Sequence, residues 1–171
     1  MARSWPENWD ARISGDECGV CASLRGDAPY GDPAIYESRW TVAYLRRHDI
    51  QRGYAVVVWR AGHVVEPLDL PDEAAAAYWA DVLRVGRAIR THFAPKKLNY
   101  ETQGNGEPHL HTHVVPRYEE DPNPGGGFPF WTIHDPPLIP DHELARDAAS
   151  LRALLYRSRA PTIAVPDDSG R

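Results

Sequence analysis

The chain has 171 residues, 42% of them apolar and 25% charged, which suits one globular domain with a sizeable core. Its formal net charge of −5 argues against a broad nucleic-acid surface, which needs a basic excess, but not against a small phosphate ligand. No apolar run is long enough to span a membrane and the first residues lack the apolar stretch of a secretory signal, so the cytosol is the expected compartment.

Residues 1–17 are polar around Trp5 and Trp9, with room for one short helix. Cys18 and Cys21 open a segment to residue 33 in which Gly26, Pro29, Gly31 and Pro33 predict a loop. From Ile35 to Arg47 β-branched and aromatic residues predict one or two strands. Asp49 to Gly53 reads as a turn and Tyr54 to Trp59 as a short buried strand. A helix opens at Pro71, Asp72 and Glu73, where proline costs no hydrogen bond and the acids oppose the positive helix end. Tyr78, Trp79, Val82, Val85, Ile89 and Phe93 form its apolar stripe, and Pro95 ends it. Lys97 to Glu101 is the next strand, Gly104 to Gly106 a turn, and His109 to Arg117 another strand. Residues 121–140 form an extended loop, rich in Pro and Gly, that carries Phe128, Phe130 and Trp131. Leu144, Ala148, Leu151 and Leu155 predict a helix over residues 141–158, and the last dozen residues should fray. This order predicts an α+β domain on a mostly antiparallel sheet.

The chemistry concentrates between Pro108 and Arg117. His109, His111 and His113 alternate, so on a strand they share one face, while Leu110, Thr112 and Val114 turn toward the helices. A row of imidazoles has two uses. It can ligate a metal, or one ring can act as a nucleophile while its neighbours fix its tautomer and meet phosphate oxygens. Cys18 and Cys21 supply two more ligands at zinc-like spacing. In a reducing compartment such a pair means a metal site or a redox pair more often than a structural disulfide.

The run His-Leu-His-Thr-His-Val-Val, followed by Pro116 and Arg117, resembles the motif of the histidine-triad (HIT) family, with Thr112 where an apolar residue is usual. Leu98, Asn99 and Tyr100 followed by Gly104, Asn105 and Gly106 resemble that family's Asn-bearing strand and glycine turn. Gly62 to Val64 and Leu68 to Glu73 resemble its strand end and helix start, and His48, Asp49 and Ile50 its nucleoside-binding turn. The resemblance covers residues 15–120 of one domain spanning 1–171, the remainder being the proline-rich loop, C-terminal helix and tail.

The resemblance implies a HIT-like fold, about five antiparallel strands with one long helix, and a homodimer formed through that helix and a strand. It implies that His111 attacks the α-phosphorus of a purine nucleotide, such as a diadenosine polyphosphate or a nucleoside phosphoramidate. A nucleotidyl-histidine forms, and its hydrolysis releases a nucleoside monophosphate. His113 would then meet the phosphate or the leaving group, and His109 would set the geometry. Asn99 and Asn105 would contact phosphate, Asp49 would hold the ribose, and Tyr54 would stand where relatives carry a further histidine. It also implies a structural zinc on Cys18, Cys21, His63 and His109. Lys96, Lys97 and Arg117 lie close enough in sequence to attract phosphates. Two other readings stay open: a nucleotide-binding regulatory protein with little turnover, and a hydrolase whose catalytic metal sits on the three histidines. In none of these is nucleic acid or a membrane a partner.

Overall fold

The computed structural model describes residues 4–27 and 30–157, so the expected frayed tail lies outside the described residues. Its centre is a five-stranded antiparallel sheet built from β1 (Ala34–Glu37), β2 (Thr41–Leu45), β3 (Ala55–Trp59), β4 (Lys97–Gln103) and β5 (His111–Arg117). The order is β1-β2-β3-β5-β4, which leaves β4 on an edge. With its helices this is the α+β architecture the sequence predicts.

Helix α3 (Asp72–Phe93) lies against one face together with α4 (Asp141–Arg157). Two acids occupy the first turn of α3, and Ala94, in the left-handed region at φ 49°, ends it ahead of Pro95. Its stripe is the core: Tyr78, Val82, Val85 and Ile89 are fully buried among Val57, Leu110, Val114 and Leu151. Each such side chain stabilises the fold by about 1.5–3 kcal/mol. Asp81 is also buried on this helix, but Tyr36, Ser38 and Thr41 donate to its carboxylate at 2.9, 2.6 and 2.9 Å. A buried charge so satisfied is tolerated, and this one ties α3 to the β1–β2 turn. No helix among the described residues is long and apolar enough to cross a membrane.

The opposite face of the sheet carries a second, smaller cluster of Val42, Tyr54, Val56, Val58, Val115 and Phe128. Helix α2 (Gly19–Arg25) and the loop around Phe130 pack on it through Val20, Leu24 and Phe130. This helix corrects the expectation of a plain loop over 18–33. The Cys18 sulfur accepts the Cys21 N–H at its start, and Gly26 supplies the left-handed residue at its end. A shorter helix, α1 (Trp9–Ile13), precedes it. Two strand limits also differ. β4 runs on to Gln103, and β5 begins at His111, because the His109 N–H turns back to the Glu107 carbonyl at 2.8 Å.

Candidate active site and metal centre

Thr112 and Val114 face α3, where the Tyr78 hydroxyl lies 2.8 Å from the Thr112 hydroxyl. Their neighbours His111 and His113 therefore project from the other face, half-buried. Their bonds can be read as an ordered chain of protons. Burial raises the Tyr54 phenol well above its ordinary range, so it stays protonated and donates to His113 Nδ1 at 2.6 Å. The His113 ring proton then sits on Nε2, 3.1 Å from His111 Nε2. His111 Nδ1 lies 2.7 Å from the His109 carbonyl, which can only accept, so His111 carries its proton on Nδ1. The lone pair of His111 is thereby left on Nε2, where it accepts from His113 Nε2–H.

Both rings are held neutral. Burial takes His113 down to about 3, with the neighbouring His111 and Arg46 adding to it, and burial also lowers His111.

His109 breaks the expected row. It precedes β5, is fully buried, and gives its Nε2 proton to the Trp59 carbonyl at 2.8 Å. That leaves Nδ1 aimed at two sulfurs, 3.4 Å from Cys18 Sγ and 3.5 Å from Cys21 Sγ. His63 repeats the arrangement, with Nε2 on the Ile13 carbonyl at 2.9 Å and Nδ1 3.4 Å from Cys21 Sγ. Gly15 admits the His63 ring, since a Cβ there would lie 2.9 Å from His63 Cγ. All four donor atoms of Cys18, Cys21, His63 and His109 lie within 4.8 Å of one another. A tetrahedron with Zn–S of about 2.3 Å and Zn–N of about 2.0–2.1 Å has S···N edges of about 3.6 Å, so the donor set fits zinc in both chemistry and spacing. Backbone carbonyls hold the outer nitrogens, as is usual for ligating imidazoles. Burial takes His109 down to about 4, which favours the neutral ligand form, and lifts the Cys21 thiol to about 11, with Cys18 contributing. The three motif histidines do not converge on one point: one turns to the cysteines and two turn to each other.

The sequence-predicted residues separate into groups. Tyr54 bonds His113 directly. Asn99 shares the His113 face of the sheet through its pairing with Val115, one step further along, and its Oδ1 accepts from Lys97 Nζ at 3.2 Å. Asn105 is exposed on its turn and lines a groove with Trp5 and Pro6. Asp49 is exposed on another turn, its N–H held by the Pro137 carbonyl at 2.8 Å. Neither Asn105 nor Asp49 bonds the histidines. Arg117 is buried and its donors serve Asp121 and the carbonyls of Asn123 and Gly126, so it anchors the loop after β5 rather than a phosphate. Lys96 pairs with Glu119. The anchored loop brings Phe130 to 5.5 Å from the Tyr54 ring and 6.1 Å from the His113 ring. Gly53 sets the entry to Tyr54 at φ +79°, where a Cβ would strike the Phe93 ring at 2.5 Å.

Three polar residues on the histidine face escape motif reading. Antiparallel partners share a face, and Glu101 pairs with His113 while Gln103 pairs with His111. Arg46 continues β2 beside Tyr54, whose carbonyl takes its N–H at 2.9 Å, and Asp32 holds its guanidinium at 2.7 Å. Period-two alternation puts Asn99, Glu101 and Gln103 on one face, but which face follows only from the register with β5.

Comparison with known proteins agrees with this geometry. The HIT domain family model matches residues 31–120. The Bacillus subtilis protein named Protein hit is 31% identical over 126 residues, covering 70% of this chain and 81% of its own. An adenosine 5'-monophosphoramidase of Schizosaccharomyces pombe is 27% identical over 68% of this chain and 86% of its own. A bis(5'-adenosyl)-triphosphatase of Saccharomyces cerevisiae is 27% identical over 52% of this chain and 45% of its own. Among solved structures, a zinc-bound histidine triad family protein from Mycobacterium smegmatis superposes with a TM-score of 0.59 at 28% identity, over 83% of this chain and 95% of that one.

Proposed function

This chain belongs to the HIT domain family, and from that premise we propose that it is a nucleotide hydrolase that works through a nucleotidyl-histidine on His111. The observation that carries the reading is the proton order Tyr54, His113, His111, His109 carbonyl, which puts the lone pair of a neutral His111 on Nε2, where an incoming phosphorus would replace the His113 N–H it accepts. In the first step His111 Nε2 forms a bond to the α-phosphorus, and the bond from phosphorus to the leaving group breaks. The electron pair departs with that group. A polyphosphate leaves as an anion. An amine needs a proton, which solvent supplies while His113 Nε2–H, held in that tautomer by the protonated Tyr54 hydroxyl, donates a hydrogen bond to the departing nitrogen. In the second step water attacks the nucleotidyl-histidine, loses a proton to solvent, and releases the nucleoside monophosphate.

Two relatives whose names specify adenosine 5'-monophosphoramidase and bis(5'-adenosyl)-triphosphatase support adenine nucleotides as the substrate class. Cys18, Cys21, His63 and His109 would hold a structural zinc, which would lock the N-terminal segment onto the residues ahead of β5. The matched zinc-bound family protein supports this. A homodimer through α3 and β4 is supported by the free edge of β4 and by exposed Trp79, Leu83 and Tyr100. The test of the reaction is AMP release from diadenosine tetraphosphate and from an adenosine phosphoramidate, without added metal. Wild type should turn over at least one, and His111→Ala neither. Tight AMP binding with no turnover by wild type would mark a binding protein instead.

A further inference from the structure

The side chain that the reaction above leaves without a task is Glu101. It stands directly across from His113 on the edge strand and shares its face, with Cβ atoms of such pairs about 5 Å apart. One carboxylate oxygen, Oε2, accepts from Gln103 Nε2 at 3.2 Å. The other, Oε1, is buried and has no hydrogen-bond partner among the described residues. No lysine or arginine of the described residues lies in ion-pair contact with it; Arg46, on the same face, pairs with Asp32 through Nη1. His113 cannot serve it either, because Tyr54 and His111 take both of its nitrogens.

A buried carboxylate oxygen without a donor is costly, and a negative charge beside an incoming phosphate is costlier. Such a group is tolerable where the bound ligand supplies what it lacks, an N–H or O–H, and best of all a positive charge. We infer that Glu101, steadied by Gln103, receives the N–H groups of an amine leaving group, so that this chain favours nucleoside phosphoramidates of cationic amines over dinucleotide polyphosphates. The inference rests on the nucleotide hydrolase reading and narrows its substrate. A polyphosphate leaving group would place further negative charge near Glu101 and gain no hydrogen bond from it. A ribose hydroxyl is the other donor a nucleotide carries, and it would be indifferent to the leaving group.

The test compares two ligands with the same nucleoside, adenosine 5'-N-(2-aminoethyl)phosphoramidate and diadenosine triphosphate. Binding is measured by calorimetry in His111→Ala, with and without Glu101→Gln, so that it does not depend on turnover. Glu101→Gln keeps the shape and removes the charge. It should weaken the aminoethyl ligand by about tenfold, the worth of one charge-assisted hydrogen bond, and leave diadenosine triphosphate unchanged or tighter. Equal loss for both ligands, or none for either, overturns the inference. A third ligand, 2',3'-dideoxy-AMP, identifies a ribose contact: if Glu101→Gln weakens AMP but not its dideoxy form, the donor is the ribose and the leaving-group assignment is wrong. In the His111-intact chain the same substitution should lower kcat/KM for the phosphoramidate selectively. Failure of wild type to turn over either substrate would count against the hydrolase reading, while the calorimetry would still decide the role of Glu101.

Discussion

Two clusters of imidazoles meet in one short run, and they are built in opposite ways. At the Cys18–Cys21–His63–His109 cluster each ring gives its Nε2 proton to a backbone carbonyl and aims a bare Nδ1 at sulfur. At His111 and His113 the rings aim Nε2 at each other, and their Nδ1 atoms are tied to a carbonyl and a phenol. Residue type is the same in both. What differs is which nitrogen the surroundings occupy, and that decides whether an imidazole can ligate or attack. The backbone makes the division, since His109 lies outside β5 and its own carbonyl fixes the tautomer of His111.

Substitutions in the two clusters should cause opposite losses, and these are the largest effects. His111→Ala should reduce AMP release by at least about 10³-fold, the order expected for loss of a nucleophile, with a melting midpoint close to wild type. Cys18→Ser or Cys21→Ser should do the reverse. Bound zinc should be lost and the midpoint should fall by on the order of 10 °C, from a few kcal/mol at about 2–4 °C each. Metal analysis with thermal melts checks this, and zinc retained by either serine variant would count against the four-ligand set. A finer cut separates His113 from its phenol. Tyr54→Phe removes the donor to His113 Nδ1, so amine release should slow by roughly tenfold while polyphosphate release stays within about threefold. Parallel loss on both substrates would reduce Tyr54 to packing.

A separate effect is on stability against pH. His113 is held at about 3 in the fold against an ordinary 6.5, so the unfolded chain takes up its proton first as pH falls. Its contribution is complete above about pH 6.5 and declines toward pH 3, by at most about 1.4 kcal/mol per pH unit for one proton. Replacing His113 with Gln should flatten the slope of the melting midpoint in that window, and an unchanged slope would mean that His113 titrates normally.

Periodicity carried the fold in the sequence, because α3 writes its core as Tyr78, Val82, Val85 and Ile89, and the strands are dense in valine and tyrosine. Helix α2 was hidden because its start is capped by a cysteine sulfur rather than by a residue that signals a helix, and the surrounding glycines and prolines read as loop. The four sulfur and nitrogen groups of the proposed zinc site were legible through the family resemblance, and the structure does bring them together. The equal footing of the three motif histidines was misleading, since alternation assumes a strand and β5 begins only at His111. Asp49 and Asn105 matched motif positions, yet lie on exposed turns. Arg46, Glu101 and Gln103 carry no motif and reach the site through strand register, which is a long-range property of the fold.

The proposed reaction turns on a covalent bond at one nitrogen. Wild type mixed with an adenosine phosphoramidate and quenched at alkaline pH within one turnover should carry the mass of one adenylyl group, which peptide mapping places on His111. His111→Ala should carry none. Turnover without any such adduct, or an adduct that persists in His111→Ala, would contradict the account.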